Sequence, residues 1–444
     1  MPSAASAQAA RFSLPRDPVL LDEKISIAPR NLPPNRAVTL HLVSTSDEGR
    51  WTSSATFLTD QTGRIDLTRM APIAGSYTGV DAMGLFWSTQ LDSSARHSSS
   101  SPAGTLNPAA QSWELRAESG GVSLGIDRVW RRAVEPGVRV MLVHEGGLVG
   151  TFYQPPGGAS RPGIIVLSGA GGGLQSAAQQ PGGLASRGFA VLSLAYFASE
   201  GLPKELSGIR LEYFKSAIDW LKGQPNVDPK RVGVLGISRG GELALLLAST
   251  YPEIKTVVAY APSHVLWAGC CDSAAQTSPP WTLGGKPIPH MPPAPEMRTA
   301  ARGLNKDTPV RRTPMFQRRL EDTISVMQAA IPVERINGPV LLISGREDQV
   351  WPSSYMAEQI MMRLRRHAFK YPYRHLAYSA AGHSIGRPYT STVSVNRERQ
   401  PITRRLWDFG GTPSGTAWAS EDSWSKLLEF LDQHLRTSAA VAAP

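Results

Sequence analysis

Two hydrophobic rhythms divide the chain. From about residue 20 to residue 143 apolar residues come in short alternating segments, such as 38–43 and 51–58, separated by turn-forming clusters at 31–34, 47–49 and 62–63. Period-two alternation broken by Pro, Gly, Asn and Asp predicts half-buried strands joined by turns, and hence a small all-β domain, a sandwich. Its middle, 92–111, is rich in Ser, Pro and Ala and reads as a long surface loop. Beyond residue 145 the rhythm changes. Continuous apolar runs at 163–167, 190–196 and 232–235, followed by later strands at 256–259, 339–344 and 373–378, alternate with helical periodicity at 208–222, 242–250, 354–365 and 421–434. Strands apolar at every position are those buried on both faces, so this region predicts a parallel sheet covered by helices. Between 262 and 333 the alternation stops in a stretch rich in Pro, Trp and Met, which predicts an insertion capping the sheet's C-terminal edge. The resulting layout is a flexible tail at 1–18, a β domain at 19–145, an α/β domain at 146–437 and a C-terminal tail at 438–444.

The chemistry is concentrated where the apolar run 232–235 meets the periodic segment 242–250. Gly236-Ile237-Ser238-Arg239-Gly240 fits G-x-S-x-G, and its strand-then-helix context is the one in which that pattern lifts a serine hydroxyl onto a sharp turn. A serine hydroxyl needs a base, and the base needs an acid to hold its tautomer. Asp348 follows the strand 340–343, where an α/β-hydrolase fold carries its acid; Glu347 and Asp322 are its rivals. His383 follows the next strand among small residues that leave an imidazole room to swing toward the serine. His264 and His290 fall in the cap, His367 among arginines, and His434 at a helix end, where the helix dipole accounts for it. Oxyanion donors are expected from the backbone N–H of Arg239 and from Ala170 or Gly171 in the loop 168–173. That loop fails as a dinucleotide fingerprint, because Leu174 stands where the third glycine or alanine is needed.

Composition changes this picture little. With 444 residues, 41% hydrophobic, the chain can bury a large core, and no apolar run approaches the roughly 18 residues of a membrane span. A net charge of +10 favours anionic partners, yet no nucleic-acid module accompanies it, and clusters such as Arg311-Arg312, Arg318-Arg319 and 363–367 read mostly as a solvated cationic face. Adjacent Cys270 and Cys271 cannot staple distant elements and offer no metal spacing. No metal, redox group or other cofactor is required. The N-terminus lacks a charged segment followed by an apolar one, so a cytoplasmic location is expected; the small residues 5–9 would instead suit the end of a removed leader, and export. No pattern fixes an oligomeric state.

Further segments extend the pattern beyond the serine motif: PIAGSYTGVDAMGLFW at 72–87, GISRGGEL at 236–243, IPVE at 331–334, GREDQVW at 345–351 and AGHSIGRPY at 381–389. With these the chain resembles the acyl-CoA thioester hydrolase and bile acid-CoA:amino acid N-acyltransferase family over nearly its whole length. The resemblance implies an Ig-like N-terminal domain and a triad of Ser238, Asp348 and His383, the set the spacing reaches separately. It also implies hydrolysis of acyl-CoA thioesters, because the N-acyltransferase branch uses cysteine as nucleophile. The peroxisomal members' C-terminal targeting tripeptide has no counterpart in Val441-Ala442-Ala443-Pro444. Residues 262–319 match the family least. Coenzyme A phosphates would find Arg239, Arg346 and Arg387 near the sheet edge, unless these form structural ion pairs. A carboxylic ester, amide or lactone as substrate, transfer to an amine, and a binding protein on a disabled scaffold are the alternative readings.

Overall fold

The computed structural model describes residues 9–46, 49–92, 110–174, 180–270, 277–292, 307–393, 397–399 and 404–436. The chain divides into two compact units, Met1–Val134 with Pro388–Val395, and Glu135–Arg387 with Asn396–Pro444.

The first unit is the expected all-β domain. Its strands are β1 (Val19–Leu20), β2 (Ala37–Ser46), β3 (Gly49–Leu58), β4 (Ala74–Gly75), β5 (Gln90–Asp92), β6 (Gln111–Ser119) and β7 (Val122–Arg132). They run in the order β1-β7-β6-β2-β3-β4, with β5 also paired to β3. Alternation decides which face is buried: Val38, Leu40 and Leu42 of β2 are fully enclosed while their neighbours are not. Two further extended segments hydrogen-bond each other, Ile65 N–H to Pro29 O (3.1 Å) and Leu67 N–H to Ile27 O (3.3 Å), and bury Ile27, Ile65 and Leu67.

Sequence and structure differ here in one respect. Residues 1–8 of the expected tail lie outside the described residues, but the rest of it is anchored. The Ala10 N–H donates to Leu124 O (2.9 Å), Arg11 bridges Arg30, and Phe12 and Leu14 are buried, because apolar side chains spaced two apart suit an extended segment with one covered face. Residues 93–109 of the expected loop 92–111 lie outside the described residues; Asp92 and Gln111 at its ends are in strands.

The second unit contains β8 (Arg139–Val143), β9 (Val149–Gln154), β10 (Arg161–Leu167), β11 (Ala190–Ala195), β12 (Ile209–Arg210), β13 (Val227–Ile237) and β14 (Ile254–Tyr260). After these come β15 (Trp281–Leu283), β16 (Lys286–Pro287), β17 (Val340–Gly345), β18 (Tyr373–Tyr378), β19 (Arg397–Arg399) and β20 (Leu406–Asp408). Eight strands form the main sheet in the order β8-β9-β11-β10-β13-β14-β17-β18, parallel except that β9 runs antiparallel to both neighbours. Because β8 pairs with β9, the second compact unit begins at Glu135, and Pro388–Val395 count with the first. An edge strand alternates in the same way whichever sheet it joins, so its pattern cannot say which one it completes.

Helices Pro181–Ser186, Leu211–Lys222, Arg239–Thr250, Ser353–Arg366 and Pro413–Leu431 accompany the sheet, and one large core, from Phe152 and Leu167 to Phe214, Leu243 and Leu342, lies between strands and helices. The helix expected at 208–222 begins at Leu211, because Ile209–Arg210 pair with Trp281 and Thr282 of β15. The helix expected at 421–434 starts earlier, at Pro413: Thr412 accepts a hydrogen bond from the Gly415 N–H (3.0 Å), and proline is preorganised for a helix's first turn. In the predicted cap, β15, β16 and helices Thr313–Arg319 and Thr323–Ala329 are described; 271–276 and 293–306 lie outside the described residues. Val265, Trp267, Met291, Phe316 and Ala329 of this insertion share a core with Trp351 and Met356 of the sheet domain.

Candidate active site

Three loops at the C-terminal ends of parallel strands hold the candidate residues. Ser238 follows β13 and caps helix Arg239–Thr250 at φ 58° and ψ −122°, a conformation a side chain adopts only when its surroundings impose it. The flanking glycines impose it. A Cβ at Gly236 would collide with the Gly240 carbonyl, and one at Gly240 would meet the Leu167 and Ser168 carbonyls of the neighbouring strand end. Strand and helix can therefore close on the serine only if both positions lack side chains. Gly169 brings the next loop equally near, since a Cβ there would sit 3.1 Å from Ser238 Cβ and 3.6 Å from its Oγ.

Asp348 follows β17 and His383 follows β18. The His383 Nδ1–H donates to Asp348 Oδ2 at 2.8 Å, and both side chains are buried. Asp348 is itself saturated. Its Oδ1 accepts from the N–H groups of Val350 (2.9 Å) and Trp351 (3.2 Å), and its Oδ2 also from Ser353 Oγ (2.6 Å). Four donors converging on one buried carboxylate fix its orientation and compensate its desolvation. The rivals are otherwise occupied: Glu347 is exposed, and Asp322 caps helix Thr323–Ala329 by accepting from the Ser325 N–H (3.1 Å) and Oγ (2.6 Å).

The histidine loop is pinned, whereas small neighbours suggested freedom to swing. The segment 408–412 stitches it to the acid loop: Asp348 bridges Gly410, Ala381 bridges Gly411, and the His383 N–H donates to Phe409 O (2.8 Å). The imidazole lies edge-on to Trp351 and Phe409, with ring centroids 6.0 and 5.6 Å away. Of the other histidines, His264 is held down to about 4 by burial, with Arg363 adding to the effect; His290 Nδ1 lies 3.1 Å from Ile288 O; His367 ends helix Ser353–Arg366; and His434 packs on Phe430.

Sequence reasoning missed a buried pair behind the nucleophile. Arg239 Nη1 donates to Glu242 Oε2 (2.8 Å) and its Nη2 to Trp267 O (3.0 Å), while the fully buried Glu242 also accepts from Trp281 Nε1 (3.2 Å) and the Trp267 N–H (3.4 Å). Burial raises the Glu242 carboxyl to about 7 against the opposing pull of Arg239. The three-residue spacing on a helix was the available signal; its tryptophan partners, in a stretch without periodicity, gave none. This pair removes the Arg239 side chain from the candidate phosphate ligands, because a guanidinium already spent on a buried carboxylate and a carbonyl cannot also reach solvent. Arg346 is half-exposed and 3.5 Å from Glu358, and Arg387 is partly buried, its charge felt by Tyr153. The Arg239 backbone remains at the first helical position, beside Ser238.

A serine on a sharp turn after the fifth strand of the sheet, an acid after the seventh and a histidine after the eighth define an α/β-hydrolase. Residues 209–437 match the model described as BAAT / acyl-CoA thioester hydrolase C terminal, and 22–145 the acyl-CoA thioester hydrolase/BAAT N-terminal region. Acyl-coenzyme A thioesterase 1 of Mus musculus is 31% identical over 95% of this chain and 96% of its own length. The mitochondrial acyl-coenzyme A thioesterase 2 of Mus musculus is 32% identical over 93% of this chain and 87% of its own, and acyl-coenzyme A amino acid N-acyltransferase 1 of Mus musculus 31% over 95% and 97%. The chain belongs to the acyl-CoA thioester hydrolase/BAAT family.

Proposed function

We propose that this protein hydrolyses acyl-CoA thioesters through a covalent acyl-serine. Ser238 Oγ attacks the thioester carbonyl while His383 Nε2 takes its proton. The C–S bond then breaks, and the departing thiolate receives that proton from His383. Water attacks the acyl ester with His383 again as base, releasing the fatty acid and restoring the serine. Asp348 holds the imidazole in the tautomer with Nε2 open toward substrate and stabilises the imidazolium. The Arg239 N–H, with Ala170 or Gly171 in the loop beside Gly169, stabilises the oxyanion.

The observation that carries this reading is the His383–Asp348 hydrogen bond (2.8 Å) in a chain whose nucleophile position, at the tight turn after β13, holds serine. Serine favours water over an amine as acceptor, by resemblance to a family whose amide-forming branch uses cysteine. The test is thiol release from short-, medium- and long-chain acyl-CoAs, beside matched p-nitrophenyl esters, for wild type and Ser238→Ala. The expected result is CoA release that Ser238→Ala abolishes. Ester turnover without CoA release would overturn the thioester assignment, and N-acyl products formed with added glycine or taurine would make the protein a transferase.

A further inference from the structure

Near the triad stands a guanidinium that no acid among the described residues partners. Arg312 precedes helix Thr313–Arg319 in the cap, and its backbone is fixed against the acid loop: its N–H donates to Gln349 O (2.7 Å), and Thr313 Oγ donates to Asp348 O (2.7 Å). The side chain lies between two rings, with Cζ 4.4 Å from the Trp407 centroid and 5.1 Å from that of Phe316. Both rings lead to the catalytic histidine. Phe316 is 6.0 Å from Trp351 and Trp351 6.0 Å from His383; Trp407 is 6.4 Å from Phe409 and Phe409 5.6 Å from His383.

Among the described residues the Arg312 guanidinium has no hydrogen-bond or ion-pair partner. Its exposed neighbour Arg311 takes the nearby carboxylate of Asp408 (2.9 Å). Burial lowers Arg312 to about 10, and the like charge of Arg239 acts in the same direction. Arg312 is partly buried, and a cation partly withdrawn from water is ordinarily matched by a carboxylate. Two aromatic faces attract it, but they do not take up its five in-plane N–H donors as a carboxylate would. A guanidinium set over two aromatic rings, its N–H donors unspent among the described residues, suits a planar or tetrahedral oxyanion gripped by two parallel hydrogen bonds.

We propose that Arg312 is a substrate-anchoring residue that binds an oxyanion borne by the substrate, either a carboxylate at the far end of the acyl group or a phosphate of the thiol leaving group. The inference rests on the acyl-transfer reading for what occupies the site. Its test compares wild type, Arg312→Gln and Arg312→Lys on two matched pairs: p-nitrophenyl hydrogen glutarate against p-nitrophenyl pentanoate, and pentanoyl-CoA against the pentanoyl thioester of N-acetylcysteamine. The first pair differs in a terminal carboxylate, the second in the phosphates together with the nucleoside and pantoyl groups that carry them. Arg312→Gln is expected to lower kcat/KM for the anionic member of one pair by about tenfold or more, as loss of a charged hydrogen bond implies, and to leave its neutral partner within about twofold. Arg312→Lys, a point charge without the fork, should recover part of the loss. The pair that responds identifies the oxyanion. Equal losses on all four substrates at unchanged melting temperature, or no loss on any, overturns the proposal. Calorimetric titration of Ser238→Ala, with and without Arg312→Gln, reads the same contact without turnover, so a failure of the acyl-transfer reading and a failure of this contact are told apart.

Discussion

Two buried side chains behind the nucleophile, Arg239 and Glu242, respond to the same desolvation in opposite senses. Burial lowers the guanidinium and raises the carboxyl, the latter to about 7 from an ordinary 4.5. Between those two values the native state binds more protons at Glu242 than the unfolded chain does. Stability contributed by this group is therefore fully present below about 4.5 and is lost as pH rises through about 7. Glutamine mimics the protonated acid and has no such dependence. The stability advantage of wild type over Glu242→Gln, measured by urea denaturation, should accordingly shrink from about pH 5 to about pH 8. An advantage that grows over that range would mean that Arg239 keeps the carboxylate ionised and that its attraction outweighs burial. The sequence marks Ser238, Asp348 and His383 as the candidate residues through their order along the chain and their places after strands. It did not show this pair, because what defines it is contact with Trp267 and Trp281, and nothing local marks those residues as neighbours of the helix.

At the scale of elements, strands and helices were legible wherever burial was one-sided or complete, since period and apolar run length follow directly from which faces are covered. Legibility failed where pairing is decided at a distance. β8 looks like another strand of the first domain, and 408–412, with no periodicity at all, turns out to join the acid loop to the histidine loop. This strap depends on Gly410, at φ +71°, where a Cβ would strike the Glu347 carbonyl. Gly410→Ala should therefore cost about 1–3 kcal/mol of stability, the usual range for a side chain forced into such a conformation. It should also lower kcat by up to about a hundredfold, because a small displacement of an oriented base is expensive in rate. Stability and turnover measured on the same variant check this. Full activity at reduced stability would show that the strap braces the fold without positioning His383.

Over the whole molecule, 46 basic residues against 36 acidic ones leave a charge of +10, dispersed along the sequence and concentrated in no nucleic-acid module. If the substrate is an acyl-CoA, its phosphates make it a polyanion, and a positively charged protein gathers such a ligand at long range before any specific contact forms. Salt screens that attraction. The Debye length falls from about 30 Å at 0.01 M to about 8 Å at 0.15 M ionic strength, so kcat/KM for acyl-CoA should drop several-fold across that interval through KM, with kcat held. A neutral p-nitrophenyl ester processed by the same serine should show no such trend. If the oxyanion that Arg312 binds is a phosphate, Arg312→Gln adds a second axis: a guanidinium that grips phosphate at close range, partly shielded from solvent, is screened less than the dispersed surface charge. The variant should then lose affinity for acyl-CoA at every salt concentration while keeping the wild-type salt slope. Parallel slopes with a constant offset would assign steering to the surface and anchoring to Arg312; a variant whose slope flattens would place Arg312 among the steering charges instead.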